Sequence, residues 1–253
     1  MTPLRGLAAC LLATVSAPLW AARPMVTDDA RIVDPGACQL ETWTRFNRND
    51  NEYWALPGCN FTGNLELTVG GANLVTDDPY FSGRSTTIQI QGKTLFKPLE
   101  TNGYGIGLAV GGVIRSQGLS QQVPSYYFYV PVSKSFMDDR LVVHVNLGAQ
   151  RLSRPPYGAQ EVFNLGGQVV RPQPGYGLTW GVGGEFALNS RLYAIAETFG
   201  DNHQQPYVQA GLRLWLVPNR VQIDTTIGAQ SGDWGGSRWI SIGLRLLSPP
   251  FLK

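Results

Sequence analysis

The sequence predicts an all-β protein: a closed antiparallel transmembrane β-barrel of about twelve strands behind a cleaved signal peptide. Three observations carry this. From about residue 37 onward, segments of roughly ten residues alternate apolar and polar side chains and are separated by turns. Segments of about 9–11 residues suit a tilted strand crossing a bilayer. The connections sort alternately into a short set and a mostly longer set, as in barrels with tight turns at one end and loops at the other. Beyond the N-terminus no continuous apolar run reaches the ~18 residues that a membrane-crossing helix requires.

The N-terminus comes first. Arg5 supplies positive charge, Leu7–Val15 is an apolar run too short to span a membrane, and Ala17, Ala21 and Ala22 are small. Residues 1–22 read as a secretory signal, cut after Ala21 or Ala22. Leu7-Ala8-Ala9-Cys10 resembles a lipoprotein box, but almost no hydrophobic stretch precedes it, so the signal core is the simpler reading. Residues 23–36 are expected as a periplasmic segment, with Thr27-Asp28-Asp29 on that side, and residues 37–253 as the barrel.

Strands are expected over 37–46, 52–60, 64–73, 84–97, 103–114, 125–134, 139–151, 176–187, 191–199, 206–216, 220–230 and 237–247. In Arg140–Arg151, for example, Val143, Val145, Leu147 and Ala149 share one face, and His144, Asn146, Gly148 and Gln150 the other. The even strand number keeps both termini on the periplasmic side. The long gap Leu152–Gly175 holds four prolines, and Glu161–Val170 inside it could be strand-like. A secreted β-sandwich is the main alternative. It is disfavoured because only 15% of residues are charged, glycines number 30, and aromatic residues sit near many strand ends, where membrane girdles need them. The net charge of +2 includes Arg5 of the signal, so the mature chain has no nucleic-acid footprint.

Hairpin registers follow from the turns. A turn centred between Arg48 and Asn49 sets Arg45 opposite Glu52, Trp43 opposite Trp54 and Cys38 opposite Cys59. Opposed cysteines in such a pair lie within disulfide reach, and Cys10 leaves with the signal, so a structural Cys38–Cys59 bridge is expected. Two unpaired thiols are the alternative, if Pro57-Gly58 bulges. A turn at Pro218-Asn219 sets Arg213 opposite Asp224 and Trp215 opposite Gln222. The expected lumen lining is Glu41, Arg45, Glu66, Gln89, His144, Glu185, Glu197, Arg213, Asp224 and Arg245. Glu197 faces inward only if the turn near Asn189-Ser190 has odd length; a carboxylate on lipid costs more than a turn preference, so the odd turn is favoured.

Such a lining either steers a solute through a pore or fills a narrow barrel with its own ion pairs. Eight strands give a filled interior and sixteen a wet one, and twelve lie between. A third possibility is a surface hydrolase using Asp201 and His203, with Asp77-Asp78 in another loop. No zinc spacing, phosphate loop or G-x-S-x-G elbow occurs, so no catalytic residue, cofactor or metal is assigned. The expected partners are outer-membrane lipid, a small solute and the barrel assembly machinery, with Phe251 near the terminus where many barrels carry an assembly aromatic.

Arg23-Pro24-Met25-Val26-Thr27-Asp28-Asp29-Ala30, then Gly36 and Gln39-Leu40-Glu41, resembles the opening of a proteobacterial outer-membrane family associated with the meta-cleavage pathway of phenol degradation. Lys93–Gly103, Ala196–Asp201 and Ser237–Arg245 are similar to later parts of that family. The resemblance implies a porin-like channel or transporter, sometimes linked to uptake of aromatic compounds. It implies no catalytic site and no defined substrate.

Overall fold

A computed structural model describes residues 25–76, 83–117, 120–121, 124–152, 162–163, 169–170 and 175–252. The signal over 1–22, Cys10, Asp77 and Asp78 lie outside the described residues. Twelve strands form the wall: β1 (Cys38–Phe46), β2 (Asp50–Asn60), β3 (Glu66–Thr76), β4 (Gly83–Lys97), β5 (Tyr104–Gln117), β6 (Ser125–Phe136), β7 (Leu141–Leu152), β8 (Gly175–Ala187), β9 (Leu192–Asp201), β10 (Tyr207–Val217), β11 (Val221–Gln230) and β12 (Trp239–Leu247). Each pairs antiparallel with its sequence neighbours, and β12 returns to β1, so the sheet closes without an edge. Two short ladders stand apart: Ser120–Gln121 extends β5, and Val162–Phe163 pairs with Val169–Val170 within the stretch expected to be strand-like.

The expected registers appear. Arg45 faces Glu52, Trp43 faces Trp54 and Cys38 faces Cys59 across β1–β2. Arg213 faces Asp224 and Trp215 faces Gln222 across β10–β11. Between β8 and β9 the last pair is Ala187 with Tyr193, which leaves an odd turn and keeps Glu185 and Glu197 on the same side. Cys38 and Cys59 are disulfide-bonded. Both alternate with inward Glu41 and Asn60, so the bridge sits on the outer surface at the short-turn end.

The two faces of the wall differ as the alternation requires. Val69, Ile88, Ile90, Leu147, Leu178, Ile227 and Ile240 point outward and are more than half exposed. An apolar surface this continuous needs a non-aqueous cover. Inside, the buried side chains are mostly polar, among them Gln89, Gln91, Lys93, Ser133, His144, Gln222 and Ser241. This porin-like arrangement points to an outer membrane.

Candidate functional site

The lumen is occupied by the chain itself. The sequence reading leaves residues 23–36 outside the barrel as a periplasmic segment; instead, Met25 to Val33 lie inside the wall, and Asp34–Gly36 turn at the short-turn rim to enter β1. Met25, Thr27, Asp29, Ala30 and Val33 are each at most 3% exposed. Gly36 makes the turn at φ 74°, and a side chain there would meet the Leu252 carbonyl at 2.7 Å. Its carbonyl accepts from the Phe251 and Leu252 N–H groups, which tie the root of the segment to the C-terminus. On β8, Gly181 and Gly183 leave room for it: a Cβ would stand 2.6 Å from Thr27 Oγ1 and 2.7 Å from Met25 Cε.

Most strands contribute a grip. From β9, the two oxygens of Glu197 accept from the main-chain N–H groups of Val26 (2.7 Å) and Thr27 (2.6 Å). The amide of Asn146 on β7 accepts from the Asp28 N–H (2.7 Å) and donates to the Asp28 carbonyl (2.8 Å). Ser133 Oγ on β6 accepts from the Ala30 N–H (2.8 Å). Glu66 on β3 accepts from the Val33 N–H (2.8 Å), and Asn60 on β2 donates to the Val33 carbonyl (2.8 Å). Side-chain charges add three further ties. Lys93 lies 2.9 Å from Asp28 and 3.4 Å from Asp29. Tyr129 donates to Asp28 at 2.6 Å, and Arg31 reaches Glu185 at 2.9 Å.

Behind the segment lies a buried ionic lattice. Arg213 donates to Glu185 (2.6 Å) and to Asp224 (3.1 Å), and Gln222 steadies Asp224 at 2.9 Å. His144 Nε2 is 3.2 Å from Glu185, and its Nδ1 is 2.8 Å from Ser133 Oγ. Because Glu185 only accepts, Nε2 donates to it, while Nδ1 shares a hydrogen bond with the Ser133 hydroxyl. Ser, His and Glu in a row suit hydrolysis in an open site. Here both ends are engaged, since Ser133 caps Ala30 and Glu185 is held by Arg31 and Arg213.

Nine of the ten residues expected on the lining are buried, and Arg45 is part-exposed. Glu41 and Arg245 are 3.7 Å apart, Arg45 donates to Glu52 at 3.0 Å, and Gln89 borders the space beside the segment's tip. Sequence reasoning missed Lys93, Ser133, Asn146, Asn60 and Tyr129 as partners. Asp201 ends β9 and His203 stands on the exposed loop that follows, where the Asp201 carboxylate accepts from the His203 and Gln204 N–H groups and shapes the turn. Among the described residues no cluster suited to a metal occurs.

Toward the long loops the lumen is aromatic and partly hollow. Two cavities flank the tip at Val26, of about 160 and 210 Å3. The first has Trp43 stacked on Trp54 (5.1 Å), with Arg45 above the Trp239 ring (5.4 Å). The second holds the Tyr127–Tyr129 pair (6.2 Å), with Phe199 stacked on Tyr207 at its edge (5.6 Å).

No curated protein sequence matches the chain. Two solved porins share the barrel. One is the KdgM porin in complex with disordered oligogalacturonate: 11% identity, TM-score 0.55, 82% of this chain and 98% of that one. The other is the NanC porin in a rhombohedral crystal form: 10% identity, TM-score 0.54, 83% of this chain and 98% of that one. At this identity the likeness is one of fold. Nearly the whole chain, residues 9–247, matches the model of the family described as Uncharacterised conserved protein UCP029691, and the protein belongs to that family.

Proposed function

We propose that this protein is an outer-membrane channel for small solutes, held closed in the present conformation by residues 25–36. The supporting observation is the pairing of a lipid-facing, closed wall with a polar lumen filled by a tail rather than by wall side chains alone. Ordering the tail costs roughly 1–2 kcal/mol per residue, so the closed state depends on its hydrogen bonds and ion pairs. When it leaves, water reaches Glu66, Glu185 and Glu197, which avoids the cost of stranding a charge in a dry core. The short turns face the periplasm and the longer loops the exterior, and the barrel assembly machinery inserts it.

For the solute, the aromatic cavities support small aromatic or hydrophobic compounds, as does the resemblance of the opening motif to the phenol-pathway family. Stacked rings such as Trp43 and Trp54 offer faces to a flat apolar solute. The oligogalacturonate bound by the KdgM porin is a different case: an acidic chain would meet Glu66, Glu185 and Glu197 once the tail had moved. No catalytic role enters this reading, since Asp201 spends its carboxylate on the loop.

Single-channel recording in planar bilayers tests it. Wild type should be mostly silent, and a chain lacking residues 25–33 should conduct and admit phenol in liposome swelling. A folded, truncated barrel that passes neither ions nor phenol would falsify the channel. It would favour a non-conducting structural barrel, for which the Arg213–Glu185–Asp224 lattice already speaks.

A further inference from the structure

We infer that the lumen is a binding site for a peptide main chain bent at Val26-Thr27 and at Ala30, filled in cis by residues 25–33 and able to take the same peptide in trans. The inference rests on the reading of these residues as the tail that closes the lumen, and it deepens that reading by naming the ligand class. The chemistry of the grips carries it. The wall addresses the peptide main chain at five positions, Val26, Thr27, Asp28, Ala30 and Val33, through acceptors on β9, β7, β6 and β3 and donors on β7 and β2. Any residue except proline offers the same N–H, so these contacts select a main-chain path, and two successive N–H groups on one carboxylate require the bend at Val26-Thr27.

Charge is read at three places, while the buried Met25, Ala30 and Val33 side chains limit size. Lys93 and Tyr129 take an acidic pair at Asp28-Asp29, and Glu185 takes a base two residues later at Arg31. The ligand is therefore a segment that follows this bent path, with an acidic pair and a base two residues on. Gly181 and Gly183 supply clearance for it. A wall that merely filled space would present apolar bulk there, whereas this one presents Glu, Asn and Ser aimed at a backbone. Peptide ligands that add to a sheet edge are recognised through the main chain in a comparable way, but here side chains replace the edge.

The test uses a fluorescein-labelled peptide spanning residues 23–36 and the truncated barrel in detergent, read by fluorescence anisotropy. The parent peptide should bind saturably. A Val26→Ala peptide should bind within about threefold of it, because its N–H is retained. An Ala30→Pro peptide, which has lost the N–H facing Ser133, should bind at least about tenfold more weakly, as should an Asp28→Asn, Asp29→Asn peptide. A scrambled peptide of the same charge that binds as tightly as the parent overturns the inference, as does absence of saturable binding. If the truncated chain fails to fold, the full chain carrying Ala30→Pro takes its place. Its own tail is weakened, and the parent peptide should bind it more tightly than it binds wild type; equal binding overturns the proposal. Anisotropy does not depend on conduction, so a barrel that binds but does not conduct refutes only the channel. One that conducts but does not bind refutes only the peptide site.

Discussion

The two halves of the lumen are built on opposite principles. Toward the short turns the interior is packed with charge: the tail, Arg213, Glu185, Asp224 and His144 interlock, and the space among Asp29, Glu66, Lys93 and Arg245 is about 20 Å3. Toward the long loops the interior is lined by stacked rings and holds cavities about ten times larger. Both halves use the same inward positions of the same strands: Arg213 and Tyr207 both belong to β10, and Glu66 and Ala72 to β3. The difference therefore comes from residue choice at a fixed period, not from the wall's path. In the channel proposed above, the charged half would set whether the barrel is open, and the aromatic half what waits at its mouth.

Three substitutions sharpen or break that contrast. The largest effect is expected for Arg213→Ala, which leaves Glu185 and Asp224 without their shared guanidinium. Removing one partner of a buried ionic group costs about 3–5 kcal/mol. Urea unfolding in detergent should show a loss of that order; a loss below about 1 kcal/mol would mean that the lattice is as wet as the outer half. Next comes Cys38→Ser. The bridge closes a loop with a sequence separation of 21, and the chain-entropy model assigns such a loop about 3 kcal/mol. Equal unfolding midpoints of the oxidised protein and the variant would remove any structural role for the bridge. The smallest change is expected for Trp54→Ala. It deletes the ring stacked on Trp43 and should cost about 0.5–1.5 kcal/mol beyond lost area. It should leave wild-type conductance silent. Spontaneous opening in this variant would show that the aromatic half also holds the tail.

The wall was legible in the sequence because β-structure repeats every two residues. Once Arg45 is paired with Glu52, and Arg213 with Asp224, each neighbouring pair follows. The odd turn before Leu192 was legible for an energetic reason, since the alternative put Glu197 on lipid. The tail was not legible. Residues 25–33 carry no period, and their partners are remote: Val26 and Glu197 are separated by 171 positions. One signal was available. Glu197 stands between Gly183 and Gln209 in the ladder, an inward carboxylate with no cation across from it on either side. Gln209 donates to it across the ladder, which leaves the charge without a cation, and two backbone N–H groups from the tail complete its partners. Lys93, by contrast, faces Glu66 across the ladder, so its pairing with Asp28 and Asp29 leaves no comparable gap in the wall.

The anchored root of the tail has a kinetic consequence. Gly36 is held by Phe251 and Leu252, and the next strand is fastened by Cys38–Cys59, so release upstream leaves the peptide tethered at the mouth of its own site. A short tether keeps a ligand at an effective concentration in the millimolar range. Reclosure is then a first-order event whose rate ignores how many barrels share the membrane. A free peptide of micromolar affinity meets a competitor about a thousandfold more concentrated than its own dissociation constant. Openings of the intact protein are accordingly expected to be brief, and their frequency to respond to agents that weaken the tail's grips far more than to added peptide.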